Sequence, residues 1–336
     1  MISRIQTTLL TMLAAGFIAP SAHANPISIQ CLTMFVSVDT EKFTRIADRL
    51  QTNAKSQVVT RDSDEYRGKI PGFAERMAVG RSKLGFHWID VGGGAGSAGI
   101  ESFAYENTRD KTALYDKAGV SSDLSSQPKI DVNVSAATLA AESPILGQHR
   151  VTVVSVENFL ESMNDPALHS KLLDQHFVSS KQTFRMKFEY AFAKKLELAH
   201  RLRYLHGRKI EDIPDAELGH ADLITEFYGA FTYSVHKFEI LEKYSRLLKP
   251  GGVAIIKAPY PLIKMQIDGK DRLVELDLFL HYHPVAGLTA GPESTLILEN
   301  VEGTTAALKE LTSKMKFHKL DDLDRIPPTY VYEFVP

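Results

Sequence analysis

Between Phe86 and Glu101 the chain sets one carboxylate, Asp90, directly before glycines at 92, 93, 94, 96 and 99. Phe86, Trp88, Ile89 and Val91 suit a buried strand, and the glycines allow a tight turn with close backbone approach. The residues after Gly96 suit a helix. Strand, turn and helix N-terminus together make a nucleotide cradle, with amide donors and the positive dipole end toward the ligand. Two registers compete for it. Gly94-Ala95-Gly96-Ser97-Ala98-Gly99 has the G-x-G-x-x-G spacing of dinucleotide sites. Asp90-x-Gly92-x-Gly94-x-Gly96 instead puts an acid at the strand end, where it repels a pyrophosphate and favours a ligand with cationic groups. A second acid is expected at the end of the next strand, where a carboxylate accepts both hydroxyls of a ribose. Arg150–Glu157 is β-branched and ends in Glu157, the preferred residue; Asp131, within Lys129–Ser135, is its rival.

Farther along, Leu247-Leu248-Lys249-Pro250-Gly251-Gly252 precedes the apolar run Val253–Lys257. Paired with the Asp90 glycine turn, in this order and at this distance, it makes the chain resemble the class I S-adenosylmethionine (SAM) methyltransferases. The resemblance covers residues 86–257 well and the C-terminal part in outline. It implies a methyltransferase with SAM lying across the strand ends of a doubly wound sheet. Asp90, Gly92, Gly94 and Gly96 then surround the methionine end of SAM, and Glu157 holds its ribose. An acid after the third strand receives the adenine amino group, here Glu211 or Asp212, although Arg208 and Lys209 intervene after Gly207. The loop after the fourth strand stands beside the methyl group. That makes Glu226 the leading candidate for contacting the acceptor or the SAM ammonium, and gives Tyr228 a hydroxyl and an aromatic wall to offer. Two other readings stand beside this one: an NAD(P)-dependent Rossmann oxidoreductase, and an exported protein that binds SAM without catalysis.

The elements that must position these residues read as an α/β chain. The expected fold is a doubly wound, mostly parallel Rossmann-like sheet with an antiparallel C-terminal strand, a helical N-terminal cap and inserted segments. Residues 25–85 form the cap, with a helix through Phe43, Ile46 and Leu50, loop from Ser56 to Arg67 and a short helix from Phe73 to Met77. The polar stretch at about 109–148 reads as an insertion into the methyltransferase domain, 86–336. Strands are expected at Arg150–Glu157, Arg203–His206, Ala221–Thr225 and Val253–Lys257. Asp165-Pro166 starts one helix, and Phe184, Phe188 and Phe192 stripe the next. Ser234 caps the helix before Leu247. Asp268-Gly269 turns a hairpin between Ile263–Ile267 and a strand run Arg272–Tyr282. Strand Ser294–Asn300, a helix from Thr304 or Thr305 to Met315 and an antiparallel closing strand, Thr329–Val335, complete the chain.

Composition narrows the classes. The 336 residues are 44% hydrophobic and 24% charged, enough for a sizeable core. A net charge of −2 gives no reason to expect a nucleic-acid partner. Residues 1–24 read as a signal peptide: Arg4, the apolar run Leu9–Ala19, then Ala22-His23-Ala24 as the cleavage site. The mature chain is therefore expected to be exported, with no membrane span after cleavage. Export conflicts with a cofactor kept in the cytosol, unless the protein is delivered into another cell. Cys31 is the single cysteine, so no internal disulfide forms. His281 and His283 could share a strand face, but no third ligand lies at metal spacing, and no metal site is expected. The acceptor, small molecule or protein, is not specified.

Overall fold

The computed structural model describes residues 56–57, 63–94, 96, 98–99, 102, 149–156, 176–177, 201–321 and 329–336. They belong to one compact unit, Ala54–Asp321 with Thr329–Pro336. The signal peptide, the helix through Phe43–Leu50, the insertion at 109–148 and the Phe184–Phe192 stripe lie outside the described residues.

A two-residue strand, Ser56–Gln57, pairs parallel with His176–Phe177, and two helices follow it, α1 (Ser63–Lys69) and α2 (Phe73–Ser82). The expected loop from Ser56 to Arg67 is thus helical in its last part. Tyr66 supplies the reason: its ring is fully buried and packs against Phe73, Trp88 and Phe227. The strands β1 (Phe86–Val91), β2 (His149–Ser155) and β3 (Leu202–His206) follow, then the short helix α3 (Asp215–Leu218). Next come β4 (Ala221–Phe227), α4 (Ala230–Tyr233), α5 (Lys237–Leu247) and β5 (Leu248–Lys257).

All five of these strands run parallel, in the order β3-β2-β1-β4-β5. The chain begins in the middle, builds outward to β3, then crosses back and builds outward to β5. This is a doubly wound sheet, and its topological switch point lies between β1 and β4. β1 is buried along its whole length, as a central parallel strand covered on both faces must be.

The Lys-Pro-Gly-Gly segment has a structural account. Lys249 forms an ion pair with Asp222 and donates to the Gly85 carbonyl at 3.2 Å. A Cβ at Gly252 would lie 2.9 Å from the Lys249 carbonyl oxygen and 3.0 Å from that of Ala221. The signature therefore joins the start of β5 to the starts of β1 and β4, at the end of the sheet opposite the switch-point turn.

Beyond β5 come β6 (Leu262–Ile267), β7 (Lys270–Glu275), α6 (Leu276–Tyr282), β8 (Leu288–Gly291) and β9 (Thr295–Glu299). Helix α7 (Thr304–Lys314), β10 (Met315–Asp321) and β11 (Thr329–Phe334) end the chain. The Asp268-Gly269 turn forms as expected, with φ of 52° and 72°, the left-handed pair that a two-residue hairpin needs. Arg272–Tyr282 is not one strand: it changes to helix at Leu276, whose apolar Leu276, Phe279 and Leu280 are buried at helical spacing. His281 and His283 consequently share no strand face. The antiparallel strand of the main sheet is β9, paired with β5 on one side and β8 on the other. The closing strand β11 belongs to a second, four-stranded sheet of order β10-β11-β6-β7. The β8–β9 hairpin occupies the edge beside β5, so β11 pairs with β6 and β10 instead.

Candidate active site

The turn after β1 has the conformation that its glycines allow. Gly92, Gly94 and Gly96 have φ of 74°, 59° and 76°, values that suit glycine far better than any L side chain. A Cβ at Gly96 would lie 2.8 Å from the Tyr204 ring on β3, so the turn also sits tightly against its neighbour. Gly99, in the helix that follows, lies close over Val151 and Val153, leaving no room for a larger residue to pack that helix on β2 without a shift.

Asp90 is placed differently from the expectation that it surrounds the ligand directly. Its side chain is fully buried, and Oδ1 accepts from the Tyr66 hydroxyl at 2.7 Å and the Thr225 hydroxyl at 2.8 Å. Trp88 Nε1 donates to Thr225 Oγ1 at 2.8 Å, which fixes the direction of that hydroxyl. The other carboxylate oxygen packs against Gly93, where a Cβ would collide with it. Asp90 therefore holds a carboxyl group immediately beneath the turn. Tyr66 comes from α1, so the N-terminal helices touch the site's central acid. Nothing in the local sequence of Tyr66 or Thr225 points to Asp90; only packing brings the three together.

Across the switch point, Glu226 is the last residue but one of β4, paired with Val91, rather than the first residue of a loop. It is fully buried. Its Oε1 accepts from the Phe231 N–H and its Oε2 from the Tyr244 hydroxyl. Burial pushes its carboxyl up to about 7, against the opposing pull of those two donors and of Lys237. The expected contact with an acceptor is corrected by this geometry: both oxygens are engaged, and the residue holds the segment that follows it. Tyr228 is 38% exposed with φ of 54°, a left-handed conformation that a bulky side chain rarely takes. Its ring stacks on Phe227, and its amide donates to the Lys257 carbonyl at 2.9 Å.

Gly229 was not singled out by the sequence, yet it governs the crevice. A Cβ built on Gly92 would fall 2.5 Å from its Cα, and one on Gly229 would fall 2.7 Å from the Val91 carbonyl oxygen. The turn after β1 and the segment after β4 thus cross at backbone contact.

Of the remaining candidates, Glu211 and Asp212 sit in a 3-10 turn after β3. Glu211 Oε2 is buried with no hydrogen-bond partner among the described residues, whereas Asp212 is exposed. That makes Glu211 the better placed acid to receive a donor. Glu157 and Asp131 lie outside the described residues, with β2 ending at Ser155. A cavity of about 120 Å³ lies between α1, α2 and the helix after the turn, lined by Ser63, Arg67, Met77, Ala98 and Ser102 among others. Among the described residues no group of three or more His, Cys, Asp or Glu side chains is placed to hold a metal.

The chain has the doubly wound fold that the class I methyltransferase resemblance implies. No family model matches it, and neither does any curated protein. Solved structures give distant likenesses. SAM-bound CalS10, an amino pentose methyltransferase from Micromonospora echinaspora, is 10% identical over 79% of this chain and 99% of its own, with a TM-score of 0.31. An O-methyltransferase family protein from Burkholderia thailandensis is 13% identical over 70% of this chain and 58% of its own, with a TM-score of 0.28. The [4+2]-cyclase SpnF is 13% identical over 59% of this chain, with a TM-score of 0.25, and this chain spans 47% of its length. Likenesses at this level carry no weight for activity; strand order and the turn carry the functional reading.

Proposed function

We propose that the chain binds SAM in the crevice between the ends of β1 and β4 and transfers its methyl group to an acceptor. The observation that carries this reading is the buried Asp90 carboxylate packed against Gly93, directly beneath the left-handed turn at the switch point. An ionised carboxylate there would disfavour a pyrophosphate and favour the ammonium and sulfonium of SAM. The buried acceptor oxygen of Glu211, on the turn after β3, fits the same ligand as the acid that receives the adenine amino group.

SAM supplies a methyl group on a sulfonium that leaves with the C–S electron pair as the acceptor lone pair attacks. The chain's own contribution is then alignment and exclusion of water. Gly92, Gly94 and Gly96 let the backbone approach. Glu157, two residues beyond Ser155 in the sequence, holds the ribose in this reading. Tyr228, exposed at the end of β4, offers the acceptor its hydroxyl and ring. Calorimetric titration with SAM and with NADH tests the reading: SAM should bind and NADH should not, and the reverse would overturn it in favour of a dinucleotide site. Methyl transfer from labelled SAM into a lysate separates a catalyst from a protein that only binds.

The reading extends to compartment. Arg4, Leu9–Ala19 and Ala22-His23-Ala24 support export with cleavage after Ala24, followed by delivery to a place that holds SAM. Intact mass of protein recovered outside the cytosol should begin at Asn25; full-length chain found only in the cytosol would remove this part.

A further inference from the structure

Lys237 occupies an unfavourable place. It is the first residue of α5, where the helix dipole disfavours a cation, and it is 1% exposed. Removing a charge from water is costly unless close partners offset it. Here the partners belong to one short segment. The ammonium donates to the Phe231 and Thr232 carbonyls, and it sits 3.9 Å from the centroid of the Tyr330 ring and 4.9 Å from that of Phe231. Glu226 holds the Phe231 amide of the same segment. The second sheet holds its far end, through Tyr330 O–H to the Tyr233 carbonyl at 2.6 Å and Tyr332 O–H to the Val235 carbonyl at 2.7 Å. At its near end the segment touches the cofactor turn, Gly229 against Gly92.

We propose that Lys237 is a positioning residue for the cofactor: its ammonium fixes the Gly229–Ser234 segment, which in turn seats the Gly92–Gly96 turn that receives SAM. The proposal rests on the SAM reading. Reacting groups need placement to within a fraction of an ångström, and a rigid second layer supplies it. An apolar side chain would fill the same space, but it would leave the two carbonyls undirected and Glu226 without its nearby cation.

The pair is also poised to respond to pH. Burial lowers the Lys237 ammonium to about 7 and raises the Glu226 carboxyl to about 7. Among the described residues, the other titratable groups facing it are Tyr244 from α5, Glu211 from the turn after β3, and Tyr330 and Tyr332 from β11. Burial raises all three phenols above their ordinary range, Tyr244 with the added repulsion of Glu226, so they stay neutral near pH 7. The charge on the segment's anchor therefore changes at neutrality through Lys237 and Glu226.

The test is Lys237→Met, studied well below its melting temperature, with SAM calorimetry and amide hydrogen exchange. SAM affinity should fall about tenfold or more. Exchange should quicken at Gly229–Ser234 and at Gly92–Gly96, with Ile255 and Ile256 in β5 unchanged. The wild type's SAM affinity should bend near pH 7, and the bend should vanish in Lys237→Met/Glu226→Gln. Folded Lys237→Met with SAM affinity within about twofold of wild type would overturn the proposal, whatever its thermal stability. If the wild type does not bind SAM, the cofactor reading fails by itself, and unchanged exchange at Gly92–Gly96 in the variant would then overturn the mechanical link separately. Should Lys237→Met not fold, Tyr330→Phe removes one anchor of the same segment and keeps the ring. It should weaken SAM in the same direction, and no change in affinity or exchange would count against the proposal.

Discussion

Tyr66→Phe isolates the contact between the N-terminal helices and the acid beneath the turn. The ring stays, with its neighbours Phe73 at 5.3 Å, Phe227 at 5.9 Å and Trp88 at 6.0 Å, so only the hydroxyl is lost. That hydroxyl gives Asp90 Oδ1 a 2.7 Å bond, beside the 2.8 Å bond from Thr225, and the carboxylate is fully buried. A hydrogen bond to a charged group contributes about 1.5–3 kcal/mol, and water cannot replace this donor without opening the core. For a chain of 336 residues that corresponds to a fall in melting temperature of about 2–4 °C. Differential scanning calorimetry measures it, with Thr225→Val and the double variant completing a cycle. Because both hydroxyls serve one oxygen, the double loss should exceed the sum of the single losses. The same variant should weaken SAM, since a less firmly held Asp90 relaxes the turn above it. A Tyr66→Phe melting temperature within about 1 °C of wild type would refute the reasoning, because it would mean that the hydroxyl adds nothing to holding a buried charge.

Three further outcomes follow from the same geometry. Gly229→Ala puts a Cβ 2.7 Å from the Val91 carbonyl oxygen and 3.2 Å from Gly92 Cα, so calorimetry should show SAM affinity reduced by about tenfold or more; Gly68→Ala, with open space around it, should bind normally. If Glu157 holds the ribose as proposed, Glu157→Ala should weaken SAM by at least roughly tenfold, whereas normal binding in that variant with loss in Asp131→Ala would transfer the role to Asp131. His87 is buried between the His220 carbonyl and Thr152 Oγ1, and burial holds its pKa below the ordinary 6.5, so the fold favours the neutral ring. Its contribution to stability is full above that value and is lost as pH falls through the folded pKa; melting temperatures measured downward from neutral pH should show this limb, and His87→Asn should lack it.

The parts of this protein written in local sequence are those set by backbone chemistry. Asp90 with its glycines placed the switch-point turn, because only glycine serves at three left-handed positions in five residues. Apolar runs placed β1, β2, β3 and β4 to within two residues, whereas β5 starts at Leu248 rather than Val253, so Lys249-Pro250-Gly251-Gly252 lies within its first half. Contacts between distant segments were not legible. Ser56–Arg67 is polar enough to read as loop, yet Tyr66 makes its end a helix by burying one ring. Arg272–Tyr282 reads as strand until the burial of Leu276, Phe279 and Leu280 on one helical face decides otherwise. β11 has a strand's composition in either sheet, and only competition for the β5 edge sends it to the second one. The role of Glu226 changed most. Its position at a strand end suggested an exposed acid, but Phe231, Tyr244 and Lys237, 5, 18 and 11 residues away in the chain, close around it. A side chain's chemistry is local, whereas its solvent and its partners are set by the packed fold.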